Sequence, residues 1–339
     1  MIASILINSN NKSNLEKVFD SYERNASNCN SFEFIINIDN DDNETKLYLE
    51  EQRERREFSI KYIEDYEGDY FSGHINNNKM LDYVDENSYF ISCTGDRVLN
   101  ETKNWDKKLI DYKHFYNDDI FRIRCSSHKE RKYFDFWECC FAPSNITFTT
   151  SKLIKIIGDL APCFSHDAFQ QCLFFYLESH DNFNSEQINR DLTAYNIKFS
   201  GDKPAEKSDD QNYERIHGQL KAWNILTSWK IQREAYRRAM LIKANILANN
   251  NHENFQIYDD ENHICIVDKS SGVVKKYNYN ISRIRIFLIN LFRKLSYLNF
   301  CGGGLKDPPN KMIFSIIWYL DFRFRYFRGF KDFYNKFSK

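Results

Sequence analysis

Four consecutive residues, Thr94-Gly95-Asp96-Arg97, have the composition of a turn that handles charged ligands. A carboxylate can hold a hard divalent cation, and a glycine lets the backbone come close to a ligand. Arg97 either helps neutralise a phosphate or is simply solvated. Taken alone, Asp96 is equally well a solvated loop acid. Two further polar groups close apolar runs in the same way: Ser9 ends ASILINS and Asp39 ends FEFIINID. Later in the chain Asp135 and Glu138 lie in an aromatic stretch, and His166-Asp167 opens an apolar helical pattern. A carboxylate there is either a general base able to take a proton from a hydroxyl or an acid favoured by the helix dipole.

These groups need elements to hold them. Strand patterns at Ala3–Ser9, Phe32–Asp39, Ser59–Tyr66 and Tyr89–Cys93 alternate with helical patterns. The helices are marked by Leu15, Val18, Phe19 and Tyr22 behind a capping box at Ser13–Glu16, by Glu44–Phe58, and by Ser72–Glu86. Four alternations imply an α/β fold with a doubly wound, mostly parallel sheet. In such sheets ligands bind outside the carboxyl ends of the strands, where Ser9, Asp39 and Asp96 all fall. Neither GxGxxG nor GxxxxGK[ST] occurs, so the usual dinucleotide and P-loop sites are disfavoured.

With SILINSNN in strand 1, Asp39 ending strand 2, and a fourth strand ending in Gly95-Asp96 before Trp105-Asp106, residues 2–180 resemble the nucleotide-binding half of A-type (GT-A) glycosyltransferases. The family-2-like, inverting enzymes are the nearest in pattern. The resemblance implies a donor site for a nucleoside-diphosphate sugar at Ser9, Asp39, Thr94, Gly95, Asp96 and Arg97. It places Asp39 on the nucleobase and Asp96 on a Mn2+ or Mg2+ ion. The first acid of the family's "DxD" element is replaced here by Thr94 or Gly95. The resemblance also makes Asp167 the catalytic base, with Glu138 or Asp135 as substitutes. Trp137 either stacks on an acceptor sugar or belongs to the core, His166 either tunes the neighbouring acid on the acceptor side or caps the helix, and His180 is a further candidate metal ligand. The implied function is sugar transfer to a hydroxyl of a glycan or lipid-linked glycan. A second expectation is a non-catalytic carbohydrate- or partner-binding protein on a degenerate GT-A scaffold.

The 339 residues carry 47 Lys+Arg and 48 Asp+Glu, a net charge of −1 that gives no nucleic-acid signal. Residues 281–339 are different, with 12 basic residues against 3 acidic and 15 aromatics, leaving 35 against 45 in the rest. These basic aromatic helical patterns either close the core with snorkelling side chains or lie in the plane of an anionic membrane. Nine cysteines without a CxxC pair point to a cytoplasmic protein, peripheral on the inner face of the cell membrane if the tail binds lipid. The expected division is a catalytic GT-A domain at 1–199, a helical region with a small β-meander at 200–280, and the amphipathic helices at 281–339.

Overall fold

A computed structural model describes residues 1–9, 11–66, 73–126, 146–163, 166–179, 190–201, 225–226, 228–249, 254–281 and 283–284. The first half alternates as the pattern requires. It runs β1 (Ala3–Asn8), α1 (Lys12–Asn25), β2 (Phe32–Asp39), α2 (Asn43–Arg55), β3 (Ser59–Tyr66), α3 (Gly73–Met80) and β4 (Phe90–Gly95). β5 (Val98–Asn100), α4 (Trp105–Ile110), β6 (Arg122–Ser126), β7 (Thr147–Thr150), α5 (Ser151–Ile157), α6 (His166–Ser179) and β8 (Asp191–Gly201) follow. α7 (Trp229–Asn249) then leads to a three-stranded meander, β9 (Phe255–Asp260), β10 (His263–Asp268) and β11 (Val274–Asn278).

The main sheet has the order β3-β2-β1-β4-β7-β6-β8-β5. β3, β2, β1 and β4 run parallel, as does the β6–β8 pair, whereas β7 is antiparallel to both its neighbours and β5 to β8. The fold class is therefore the expected α/β, a mostly parallel doubly wound sheet. Alternate residues of each strand face opposite sides, and each side has its own core. Ile5, Ile7, Phe34 and Phe90 pack with Phe19, Tyr22 and Leu49 of α1 and α2. Leu6, Ile35, Ile91 and Cys93 pack with Met80, Leu153, Phe169 and Leu173 of α3, α5 and α6. The second core continues through Ile231, Ala235 and Ala239 of α7 to Ile264 and Ile266 of β10.

Trp105 is fully buried, with its ring centroid 5.3 Å from Tyr22 and 5.0 Å from Phe32. Its neighbour Asp106 accepts hydrogen bonds from Ser27 N at 2.8 Å, Ser27 Oγ at 2.6 Å and Asn28 N at 2.9 Å. The Trp-Asp pair thus pins the connection from α1 to β2 and has a scaffolding role.

Two details differ from the sequence reading. The N-cap of α1 is Asn11, whose side chain accepts from Asn14 N at 3.0 Å, in place of the capping box at Ser13. The 11-residue strand β8, Asp191–Gly201, has no counterpart among the strand patterns read from the sequence. Its first acid is neutralised in the core by arginines of β6, which is why a polar sequence can lie inside a sheet.

Candidate functional site

The pairing register sets three strand ends in one row. Asn8 of β1 is opposite Asn37 of β2 on one side and Gly95 of β4 on the other. Neighbouring strands lie about 4.8 Å apart, so the row spans roughly 10 Å. Asp39 sits two residues beyond this row on β2, and Asp96 one residue beyond it on β4. A break in register between Ile38 and Asp39 opposes Asp39 to Tyr66. Such irregularities re-aim a side chain at a strand end.

Asp96 is tied to the first strand and the first helix. Its Oδ2 accepts from Ser9 Oγ at 3.0 Å and from Asn14 Nδ2 at 3.0 Å. Ser9 is held in turn, its amide donating to Asn37 O at 3.0 Å while its Oγ accepts from Asn11 N at 3.1 Å. Ser9 and Asp96, far apart in sequence, are thus brought together, and Asn14 joins them. Gly95 and Arg97 are exposed on the turn, and a Cβ on Gly95 would meet nothing within 4 Å. The fold does not itself demand a glycine there, so the open space is available to a ligand. Thr94 shares the Phe90 side of β4, and its buried Oγ1 has no hydrogen-bond partner among the described residues.

His166 begins α6 and fastens it to the row. Its Nε2 lies 3.4 Å from Cys93 O and its Nδ1 3.2 Å from Asn77 Nδ2 of α3. The half-buried Asp167 follows directly, so the proposed base is mounted on a helix bound to the strand that ends in Asp96. Burial opposes charge on the His166 ring, but Cys93 and the Asp167 carboxylate beside it prevail and push its pKa up to about 9. Glu138, Asp135, Trp137 and His180 lie outside the described residues, as does the tail beyond Ile284.

Among the described residues no group of three or more His, Cys, Asp or Glu side chains gathers as a metal site. The site fits a divalent ion of another kind. Asp96 is a single, partly exposed carboxylate whose bonds to described residues both reach Oδ2. Mg2+-type ions are commonly held by one or two carboxylates, with water and substrate phosphate oxygens completing the shell.

Sequence reasoning missed Asn8, Asn14, Asn37 and Asn77. In a chain this rich in asparagine their residue type carries little signal. The Asn76-Asn77-Asn78 run after strand 3 was the one local clue.

No protein-family model and no curated protein matches the chain. Solved structures similar in overall shape include a mannosyltransferase from Pyrobaculum calidifontis in complex with GDP-Man and Mn2+. It is 11% identical, with 74% of this chain and 76% of that one covered and a TM-score of 0.46. S. aureus TarS residues 1–349 in complex with UDP is 8% identical over 81% of this chain and 98% of that one, at a TM-score of 0.46. Glucosyl-3-phosphoglycerate synthase from Mycobacterium tuberculosis, in complex with Mg2+ and UDP, is 8% identical over 82% and 87%, at 0.41. At these values the likeness is one of shape, and nothing about the chemistry of this chain rests on it.

Proposed function

We propose that the chain is an inverting glycosyltransferase, which moves a sugar from a nucleoside-diphosphate sugar to a hydroxyl of a glycan or lipid-linked glycan. The observation that carries this reading is the Ser9–Asp96–Asn14 hub at the carboxyl ends of parallel strands, with the Asp167 helix bound to the same strand end. Asp39 would meet the nucleobase and Asp96, with Ser9 behind it, the diphosphate. A Mn2+ or Mg2+ ion held by Asp96 would supply neutralisation of the leaving diphosphate. Asp167 takes the proton from the acceptor hydroxyl as its oxygen bonds to the anomeric carbon and the bond to the diphosphate breaks. Arg97, exposed on the turn, can add positive charge beside the phosphates.

Calorimetric titration and turnover assays over a panel of uridine and guanosine diphosphate sugars, with Mn2+, Mg2+ or EDTA, test the reading. Metal-sensitive donor binding with slow donor hydrolysis is the expected result. A chain that binds no nucleotide sugar under any condition would be something else.

We further propose that residues 281–339 attach the protein to an anionic membrane surface, which their excess of basic and aromatic side chains supports. No helix among the described residues is long and apolar enough to cross a membrane. Cosedimentation with anionic vesicles that weakens as salt rises is the expected behaviour.

A further inference from the structure

The carboxyl end of the sheet carries a polar chain that the transfer chemistry leaves unused. Asn37 Nδ2 donates to Asn8 Oδ1 at 3.2 Å, and Asn8 Nδ2 donates to Asn77 Oδ1. Asn77 Nδ2 meets His166 Nδ1 at 3.2 Å, and His166 Nε2 lies 3.4 Å from the Cys93 carbonyl. The chain begins two residues before Asp39 and ends one residue before Asp167. On the way it crosses β2, β1, α3 and α6 and closes on β4. Asn37 is 2% exposed and Asn77 6%, and the outer atom of the Asn37 amide, Oδ1, is buried without a partner among the described residues.

We propose that Asn37, Asn8, Asn77 and His166 form one positioning relay, which holds Asp167 in register with the strand ends that take the donor and couples the two. The proposal rests on the reading of Asp167 as the base. α6 also meets the sheet through the apolar Phe169, Leu173 and Phe174 and through Gln170, whose Oε1 accepts from Thr149 Oγ1 of β7 at a long 3.5 Å. Apolar burial is non-directional, and Gln170 lies almost a turn beyond Asp167, so neither fixes the first residues of the helix. Hydrogen bonds from the first residue of α6 fix both distance and direction. A displacement of about 1 Å at a reacting group can cost on the order of 100-fold in rate.

The relay also has a sense. Each amide has one donor end and one acceptor end, so all three must point the same way. A ring without a proton on Nδ1 receives the chain, as described above. A ring protonated on both nitrogens must donate, and all three amides then turn over. The buried outer atom of Asn37 changes from acceptor to donor in that event. The groups against the ring are Asn77 from α3, Cys93 from β4 and Asp167 on its own helix; burial lowers the ring's pKa, and Cys93 and Asp167 together raise it by more. A change at Asn8, which does not touch the ring, must therefore reach it.

The test uses the full chain. Asn8→Leu removes both amide bonds from mid-relay, and the nearly isosteric Asn8→Asp serves should the leucine variant not fold. NMR of the ring nitrogens, with His166→Gln to assign the signal among eight histidines, should show His166 shifted or its titration displaced in both Asn8 variants. That readout needs no activity, so it separates failure of the relay from failure of the transferase reading. In turnover assays Asn8→Leu, Asn77→Leu and His166→Gln should each lower kcat roughly 10-fold, with donor Kd within about a factor of two. The Asn8/His166 double variant should be no slower than the worse single one, because residues of one network are not additive. Unmoved ring signals in folded Asn8→Asp protein, or losses that multiply in the double variant, overturn the proposal.

Discussion

The two ends of the main sheet handle buried polarity in opposite ways. At the amino ends of β6 and β8 the solution is charge. Arg122 makes a two-pronged pair with Asp191 at 2.8 and 2.7 Å, and Arg190 makes another with Asp118 at 2.7 and 2.9 Å. Each guanidinium also lies over a ring, Arg122 4.1 Å from Phe174 and Arg190 3.9 Å from Tyr116. That ring contact offers partial compensation for Arg122 Nη1, which lacks a hydrogen-bond partner among the described residues. At the carboxyl ends of β1, β2 and β4 the solution is neutral amides, and several buried atoms there, Asn37 Oδ1, Asn76 Nδ2 and Thr94 Oγ1, have no partner among the described residues. A buried unpaired polar group costs stability. The carboxyl end keeps such groups beside its partly exposed acids, and the amino end locks its charges against one another. One end leaves polar groups that a ligand could satisfy, and the other pairs most of its own.

The largest effect expected from that contrast is at the closed end. Asp191→Asn removes the counter-charge of an arginine that is 1% exposed, and losing one partner of a buried pair costs about 3–5 kcal/mol. Urea unfolding of wild type and variant measures it. A loss below about 1 kcal/mol would mean that water reaches this pair and that the two ends are alike.

Next in size is Asp167→Asn, which keeps the shape of the base but not its proton affinity. Turnover should fall about 100-fold or more with donor affinity and the unfolding midpoint retained. Retained turnover would move the base to Glu138 or Asp135.

Asp96→Ala should act on binding. Removing the carboxylate proposed to hold a cation should lower donor affinity about 10-fold in the presence of Mn2+ or Mg2+, a difference of roughly 1.4 kcal/mol. The same variant should bind donor no differently with or without EDTA. If wild type is also indifferent to EDTA, positive side chains such as Arg97 are carrying the diphosphate.

The sheet was legible because its signal is periodic. β2 and β3 begin and end where the apolar runs do, and of the polar residues that close the first, second and fourth runs Ser9 and Asp96 meet, while Asp39 stands on the same edge of the sheet. The acids were legible for the same reason, since a charge at the end of a buried run stands out. What could not be read was partnership. Nothing in the spacing of Ser9, Asn14 and Asp96 announces that the first two hold the third. Nor does a single local pattern join Asn37, Asn8, Asn77 and His166, which come from four elements. β8 carries no strand signal of its own, because Asp191 counts as a solvated residue until Arg122 and Arg124 are placed beside it. Long-range pairing of polar groups is a property of the assembled sheet, and the hydrophobic period that reveals the sheet carries no record of it.

The smallest effect expected is also the one that divides the two ends most sharply. Asn76 of α3 is buried, and its Nδ2 has no hydrogen-bond partner among the described residues. Replacing a buried amide with an unmet donor by an apolar side chain of similar volume removes a desolvation cost and adds apolar burial. Asn76→Leu should therefore leave stability unchanged or raise it by up to about 1 kcal/mol. If the amide is kept for a ligand, the same variant should bind donor more weakly, a stability gain traded against function. Thermal unfolding and donor titration on one preparation give both numbers. A variant that loses stability would show that Asn76 has a structural partner in solution, and the carboxyl end would then be as closed as the amino end. A variant that gains stability and binds donor like the wild type would leave the orphaned amide without a purpose at this site.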